Sequence, residues 1–145
     1  MPHSLVKIWI HGIWGTKSRL PLIKPGFEQQ LHIHIKEHLE KDLGCRVYSI
    51  NGTEDHIHVL FLMNPKHPLL EIIKNIKGES SHWINRQSFM QEKFSWQLGY
   101  GAFSVSESRI KIAEKYIAKQ KEHHKKTSYA DEVRLFLKMY GLANR

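Results

Sequence analysis

Hydrophobic and polar residues along the chain follow two periods, and each period predicts one kind of secondary structure. Where Val6, Ile8 and Ile10 alternate with other residues, the period of two predicts a strand. Where hydrophobic residues recur every three or four positions, as from Leu69 to Ile84, the pattern predicts an amphipathic helix. The predicted strands span residues 5–14, 46–51, 56–63 and 96–105, and the predicted helices span residues 26–43, 68–86, 106–124 and 128–141.

Residues that favour turns and helix ends mark the boundaries of these elements. Gly44 follows the first predicted helix and is expected to end it. The pair Asn51-Gly52 predicts a turn that leads toward the third strand. Ser106 precedes the third helix and is expected to act as its N-cap, and the last helix is expected to start at Ser128, with Asp131 three residues further on.

The order of the elements is strand, helix, strand, strand, helix, strand, followed by two helices. Its first six elements match the split β-α-β, ferredoxin-like arrangement. We therefore expect an α+β fold with an antiparallel sheet that carries helices on one face, plus a C-terminal tyrosine-bearing helix. In this topology the first and third strands form the central pair. A length of 145 residues predicts a single domain over residues 1–145, with a core at about 5–125 and a last helix at about 128–141.

The charge of the chain narrows the class of partner. The formal net charge is +8 and the sequence pI is about 9.6, which indicates a polyanionic partner, most simply a nucleic acid. A basic surface without a particular partner is the alternative. The single cysteine, Cys45, excludes an internal disulfide framework and fits a reducing cytoplasm. No apolar run is long enough to span a membrane.

Two histidine pairs of the form His-x-His differ in the element that carries them. His56 and His58 lie in a predicted strand, where residues two apart share a face, so their rings can converge on one metal ion. His32 and His34 lie in a predicted helix, where residues two apart point to different sides. The strand pair is therefore a candidate metal site. Chance is the alternative, because the chain contains 11 histidines.

A second group of polar residues lies on the predicted helix 106–124. Tyr116 and Gln120 are one helical turn apart, off the apolar stripe, and Lys119 flanks their face. Tyrosine can serve as a covalent nucleophile, and a carboxamide oxygen can coordinate a metal. The alternative is a tyrosine packed at a helix–sheet boundary with its hydroxyl on water.

Five segments of the chain, in the same order, resemble the single-tyrosine HUH transposases of bacterial insertion sequences, the IS200-like family. HUH denotes histidine-hydrophobic-histidine, which residues 56–58 match as His-Ile-His. Residues 116–120 match the Tyr-x-x-x-Gln core of the family. Gly15 is a departure, because a serine is more usual there, and the sequence after residue 125 adds little to the match. The similar segments are residues 11–22, 55–60, 76–81, 94–106 and 116–120.

The resemblance implies an enzyme that cleaves and rejoins single-stranded DNA at hairpin-marked element ends. By this resemblance Tyr116 is the nucleophile and forms a 5′-phosphotyrosine intermediate. His56, His58 and Gln120 are the expected ligands of a divalent ion. The expected ion is Mg²⁺, with Mn²⁺ able to replace it, and it would polarise the scissile phosphate.

The resemblance also implies a homodimer that binds DNA hairpins, with neither a membrane nor a small molecule as partner. Two other functions remain open. One is a non-catalytic or host-recruited hairpin-binding protein of the same fold, and the other is an HUH nuclease of the replication-initiator or relaxase type. The basic residues expected to contact phosphates are Lys17, Arg19, Lys74, Lys77 and Lys119.

Overall fold

The computed structural model describes residues 4–142, and its centre is one four-stranded antiparallel sheet. The strands lie in the order β2-β3-β1-β4, so β1 and β3 form the central pair, as predicted. The α+β, ferredoxin-like prediction is thereby confirmed. The strands are β1 (Trp9–Gly15), β2 (Arg46–Thr53), β3 (His56–Leu62) and β4 (Gly101–Val105).

Helices cover both faces of the sheet. The first two pack on one face, where their apolar residues meet Ile57, Val59 and Phe61 of β3. The others pack on the opposite face, where Leu60 contacts Ile110 and Ile117. The helices are α1 (Glu28–Glu37), α2 (Leu69–Arg86), α3 (Ile110–Ala118), α4 (Gln120–His123) and α5 (Tyr129–Met139). A π-helical turn, His38–Asp42, continues α1.

Strand β3 is buried on both of its faces, and this decides where its histidines lie. The strict alternation of β3 sends Ile57, Val59 and Phe61 toward α1 and α2. It sends His56 and His58 toward the C-terminal helices, and both histidines are fully buried there. A central strand therefore places two polar rings in an interior that must satisfy their hydrogen bonds.

Two predicted strands are longer than the observed ones. Strand β1 begins at Trp9 rather than at residue 5, and Leu5, which lies outside the paired register, is 78% exposed. Strand β4 begins at Gly101 rather than at residue 96. Trp96 instead forms an isolated bridge with Thr16, and Gly99 takes a positive φ of 83°, which interrupts the extended backbone.

The predicted turn at Asn51-Gly52 is wrong. Both residues lie inside β2, and the hairpin turn is at Glu54 and Asp55. Glycine is needed at position 52 for a different reason. A Cβ atom there would lie 2.1 Å from the carbonyl oxygen of His56, so the two strands can approach closely only if position 52 has no side chain.

The predicted helix over residues 106–124 is broken into shorter pieces. A 3-10 turn, Glu107–Arg109, precedes α3, and the side chain of Ser106 makes no capping hydrogen bond, so the N-cap prediction for Ser106 is wrong. Lys119, with φ −99° and ψ 17°, separates α3 from α4. In contrast, the last helix begins at Ser128 as predicted, and the side chain of Ser128 accepts a hydrogen bond from the backbone N–H of Asp131.

Two of the predictions concern the whole chain, whereas the structure describes residues 4–142. The predicted single domain includes residues 1–3 and 143–145, which lie outside the described residues. Within residues 4–142, none of the helices combines the length and the apolar character that a membrane crossing requires.

Candidate active site

The two strand histidines face one buried carboxylate. The Nε2 atoms of His58 and His56 lie 3.1 and 3.4 Å from Oε1 of Glu132, and the side chains of all three residues are fully buried. Glu132 belongs to α5, more than 70 residues further along the chain. The sheet and the last helix thus build the site together.

The other ring nitrogen of each strand histidine is held by a separate partner. Nδ1 of His56 lies 2.8 Å from a carboxylate oxygen of Asp55 and 3.0 Å from the hydroxyl of Thr53. Nδ1 of His58 lies 2.7 Å from Nε2 of His11, on the neighbouring strand β1. Such contacts fix the orientation of an imidazole ring and leave its Nε2 atom for the centre of the site.

Tyr116 lies before the helix break at Lys119 and Gln120 directly after it, and both side chains reach the same carboxylate. The amide of Gln120 donates a hydrogen bond to Oε2 of Glu132 at 3.0 Å, and its Oε1 lies 2.9 Å from Nε2 of His56. The hydroxyl of Tyr116 also donates a hydrogen bond to Oε2 of Glu132. The structure therefore brings together His56, His58, Gln120 and Tyr116, the four residues that the sequence analysis named as metal ligands and nucleophile.

Glu132 and His124 were not found by the sequence reasoning. His124 follows α4, and its Nε2 lies 3.1 Å from Oε1 of Glu132 while its Nδ1 contacts the carbonyl of Thr127 at 2.6 Å. One signal for Glu132 was present in the sequence. It lies between Tyr129 and Phe136 on the buried stripe of α5, where a carboxylate needs a partner.

Burial and the hydrogen bonds of Glu132 set the protonation states of the residues in the site. Burial, together with the hydrogen bond to Glu132, raises the pKa of Tyr116. Burial alone would raise the pKa of Glu132 as well, but hydrogen bonds from His124 and His58 hold it well below its usual range. The resting arrangement is thus a carboxylate that accepts from a protonated phenol. Burial also lowers the pKa of His58 to about 4, so that its ring is neutral.

His11 makes the stability of the fold depend on pH. Burial and the neighbouring His58 lower the pKa of His11 from 6.5 to about 3. Between these two values the unfolded chain binds a proton that the folded chain does not, so His11 lowers the unfolding free energy as the pH falls below 6.5. We expect this residue to cost about 2 kcal/mol at pH 5 relative to pH 7.5.

The variant His11→Gln tests this expectation, because glutamine does not titrate. Urea unfolding in the presence of a chelator, at pH 7.5 and at pH 5, gives the loss of unfolding free energy for each protein. The loss should be smaller in the variant by about 2 kcal/mol. Equal losses in the two proteins would contradict the assignment. The comparison cancels the opposite contribution of His124, whose pKa is raised by its hydrogen bond to Glu132 against the effect of burial.

The basic residues predicted to contact DNA do not form one surface. Lys17 and Arg19 are exposed in a turn directly after β1, near the end of the sheet that carries His56. Lys74 is exposed on α2, which packs on the opposite face. Lys77, also on α2, donates to the carbonyl oxygens of Gln97 and Gly99 at 2.8 and 2.7 Å, so its ammonium group holds a loop.

Lys119 lies beside Tyr116, in a surface concavity of about 620 Å³. Lysines dominate the lining of this concavity, and we call it the lysine groove. Tyr116 is also among its lining residues, so the groove adjoins the tyrosine ring. Its basic lining residues are Lys115, Lys119, His123, Lys125 and Lys126.

The donor atoms of the site suit a divalent metal ion. Those of His56, His58, His124 and Glu132 lie within 4.8 Å of one another. Imidazole nitrogen with one carboxylate oxygen is a common ligand set for such ions. Nε2 of His34, from the helical pair, instead lies 2.7 Å from a carboxylate oxygen of Glu79 on α2.

Comparison with known proteins identifies the family. The sequence model named "Transposase IS200 like" matches residues 4–120. The chain belongs to the IS200-like transposase family. The match covers the sheet, Tyr116 and Gln120, whereas His124 and Glu132 lie beyond it. The resemblance seen in the sequence is thereby confirmed.

Two solved structures share the fold of this IS200-like chain. One is a candidate transposase from Deinococcus radiodurans R1, with a TM-score of 0.63 and 22% identity over 83% of this chain and 95% of that one. The other is a REP-associated tyrosine transposase bound to a REP hairpin, with a TM-score of 0.61 and 13% identity over 86% of this chain and 73% of that one. No curated protein sequence matches the chain.

Proposed function

We propose that this protein is a transposase that cleaves and rejoins single-stranded DNA at hairpin-marked ends, in the cytoplasm and as a homodimer. Tyr116 is the nucleophile of this reaction. The observation that carries the proposal is the shared contact of four distant residues. Tyr116 and Gln120 hydrogen-bond to one oxygen of Glu132, while His56 and His58 face its other oxygen.

The reaction exchanges one phosphate ester for another. The phenolic oxygen of Tyr116 attacks phosphorus, the bond from phosphorus to the 3′ oxygen breaks, and that oxygen leaves as a hydroxyl after taking up a proton. The 5′ phosphate stays on the tyrosine, so attack by a second 3′ hydroxyl rejoins DNA without ATP. The phenol must lose its proton, and Oε2 of Glu132 is the atom that accepts its hydrogen bond.

A divalent ion fits this site, and His56, His58 and Gln120 would hold it. We propose Mg²⁺ as this ion, with Mn²⁺ able to replace it. When bound, the ion polarises the scissile phosphate and neutralises the charge that builds on it. Oε1 of Gln120 lies on the side of His56 that faces the site, which supports its place in this ligand set.

The DNA would enter along the lysine groove. Its lysines adjoin the ring of Tyr116, and the net charge of +8 favours a polyanion. Lys17 and Arg19 are exposed near the end of β3 that carries His56 and are the next phosphate contacts that we propose. A structural relative is bound to a REP hairpin, which supports a hairpin as the ligand here.

The form of the substrate tests this function. We expect the protein to cleave the unpaired flank of a hairpin oligonucleotide and to leave the fully duplex form of the same sequence intact. Binding should weaken by about 10³-fold or more between 50 and 200 mM salt, because phosphate neutralisation releases counterions. Cleavage on denaturing gels and binding by fluorescence anisotropy give the two results.

Lysine variants test whether the lysine groove binds the DNA. The variant Lys125→Ala should bind more weakly and show a shallower salt dependence than Lys74→Ala, a matched control that removes one charge on the other face of the sheet. Equal cleavage of duplex and single strands would contradict the proposal. Hairpin binding without any cleavage would favour a non-catalytic binding protein.

A further inference from the structure

His124 and Glu132 lie at the centre of the site, yet the proposed ligand set of His56, His58 and Gln120 includes neither of them. Both lie outside the part of the chain that matches the family. Oε1 of Glu132 is the common neighbour of three imidazole nitrogens, at 3.1, 3.1 and 3.4 Å. The arrangement raises the question of which cation these atoms are built to hold.

The hydrogen bonds around the cluster turn lone pairs toward its centre. Nδ1 of His56 faces the Asp55 carboxylate, and Nδ1 of His124 faces the Thr127 carbonyl, so both nitrogens are the protonated ones. The Nε2 atom of each ring faces Oε1 of Glu132, and it offers a lone pair to a metal ion that displaces its proton.

Gln120 adds another acceptor to the same centre. Because its amide nitrogen donates to Glu132, its oxygen is the atom that faces His56. The donor atoms of the three histidines and Glu132 lie within 4.8 Å of one another, which is close enough for them to bind one ion, and Oε1 of Gln120 lies beside them.

The spacing of the donor atoms indicates which ions fit. Ligand atoms at 2.0–2.1 Å around a tetrahedral ion lie about 3.3 Å apart. The contacts of Glu132 with the three imidazole nitrogens, at 3.1 to 3.4 Å, match that spacing. Mg²⁺ prefers six oxygen ligands and keeps several waters, whereas Zn²⁺ and Co²⁺ accept three imidazoles and one carboxylate.

The last helix is packed so that Glu132 stays in the site. The ring of Tyr129 stacks on His56 at 4.5 Å, and Phe136 meets the ring of His11 edge-on at 5.5 Å. Gly15 makes room for this packing, because a Cβ atom there would lie 2.8 Å from the ring of Tyr129. Two aromatic contacts, about one turn before and one turn after Glu132 along α5, thus fix the carboxylate.

We propose that His124 and Glu132 complete, with His56 and His58, a closed four-ligand site for a divalent transition-metal ion of the Zn²⁺ or Co²⁺ type. This proposal rests on the His56/His58 pair of the proposed function and names a second ligand set around it. With Gln120 as third ligand, the pair serves Mg²⁺ or Mn²⁺ during catalysis. With α5 docked, the same pair selects a transition metal over Mg²⁺.

Cobalt tests the site without any measurement of catalysis. Co²⁺ is titrated into the full chain after treatment with a chelator, and visible absorption is recorded. We expect one bound ion with the intense absorption of four-coordinate Co²⁺, which Zn²⁺ displaces and millimolar Mg²⁺ does not. Glu132→Gln, which keeps the shape of the side chain, and His124→Ala should each weaken binding about 100-fold and remove the four-coordinate spectrum.

Two reference variants separate this proposal from the proposed function. His34→Ala should bind Co²⁺ like the unmodified protein, because His34 lies outside the cluster and bonds to Glu79. If Glu132→Gln and His124→Ala bind Co²⁺ unchanged while His56→Ala does not, the closed site is overturned and the proposed histidine pair stands. If His56→Ala also binds unchanged, both proposals fail. Circular dichroism before each titration establishes that the variant is folded.

Discussion

Tyr116→Phe is expected to abolish the covalent protein–DNA adduct and to slow strand cleavage by on the order of 10⁴-fold or more, the scale on which enzymes lose rate when their nucleophile is removed. The change removes one hydroxyl group and leaves the ring. The ring packs against the buried cluster of Leu60, Ile110 and Ile117, and it keeps that packing in the variant, so folding should survive. Hairpin binding should survive as well, because the lysines of the lysine groove are unchanged.

The position of the label decides what this experiment can detect. A 5′-phosphotyrosine keeps the DNA on the 3′ side of the break, so the oligonucleotide carries its label at the 3′ end. The unmodified protein should shift the label to a protein-sized band on a denaturing gel, and Tyr116→Phe should not. Tyr100→Phe is the matched control, because Tyr100 lies outside the Glu132 network.

A persistent adduct in Tyr116→Phe would show that another tyrosine is the nucleophile. Tyr129 is then the nearest alternative, because its ring stacks on His56. Burial raises the pKa of Tyr129 as it does that of Tyr116, so acidity does not distinguish the two. The hydrogen bond to Glu132 distinguishes the two tyrosines, because the hydroxyl of Tyr116 makes this bond.

The fold could be predicted from the sequence where one local pattern was sufficient. The alternation through residues 56–62 placed the two histidines on one face of β3, and the structure has them there. Ser128 and Asp131 fixed the start of α5 because capping depends on neighbours in sequence. The predicted start of the first strand at Leu5 was wrong, because strand pairing depends on a partner strand, and the local alternation of residues does not show where that partner ends.

Only some residues of the site could be predicted from the sequence. Spacing was enough to group Tyr116 with Gln120, even though the helix breaks at Lys119 between them. Glu132 could not be placed in the same way, because its partners come from β3, α3 and α4 and meet only when α5 docks. Its position on the apolar stripe between Tyr129 and Phe136 was the one local clue, and it called for a buried partner without naming it.

Formal charge was a poor guide to individual DNA contacts. Lys77 and Lys119 count equally in the net charge, yet the structure gives them different environments. The ammonium group of Lys77 is occupied by two backbone carbonyls, and burial lowers its pKa. Lys119 is exposed beside Tyr116. Sequence alone gives the sum of the charges, while packing decides which of them remain available to a phosphate.

Loss of His56, the first histidine of the pair on β3, is expected to produce the second large effect. In a titration of cleavage rate with Mn²⁺, His56→Ala should lower the rate by on the order of 10³-fold, because metal stabilisation of the transition state amounts to several kcal/mol. Gln120→Ala should raise the Mn²⁺ concentration needed for half-maximal rate by about 10-fold. The histidine change is the more severe, since imidazole binds a metal more strongly than a neutral amide does.

The comparison between these variants joins the strand to the helix. His56 and Gln120 are 64 residues apart, and the contact of Nε2 with Oε1 at 2.9 Å is what links them. His34→Ala, from the helical histidine pair, should titrate like the unmodified protein, because its ring bonds to Glu79 on the other face of the sheet. If Gln120→Ala also titrates like the unmodified protein, the helix does not complete the metal site. Tyr116 would then lose its link to the ion, and the nucleophile would depend on the adduct experiment alone.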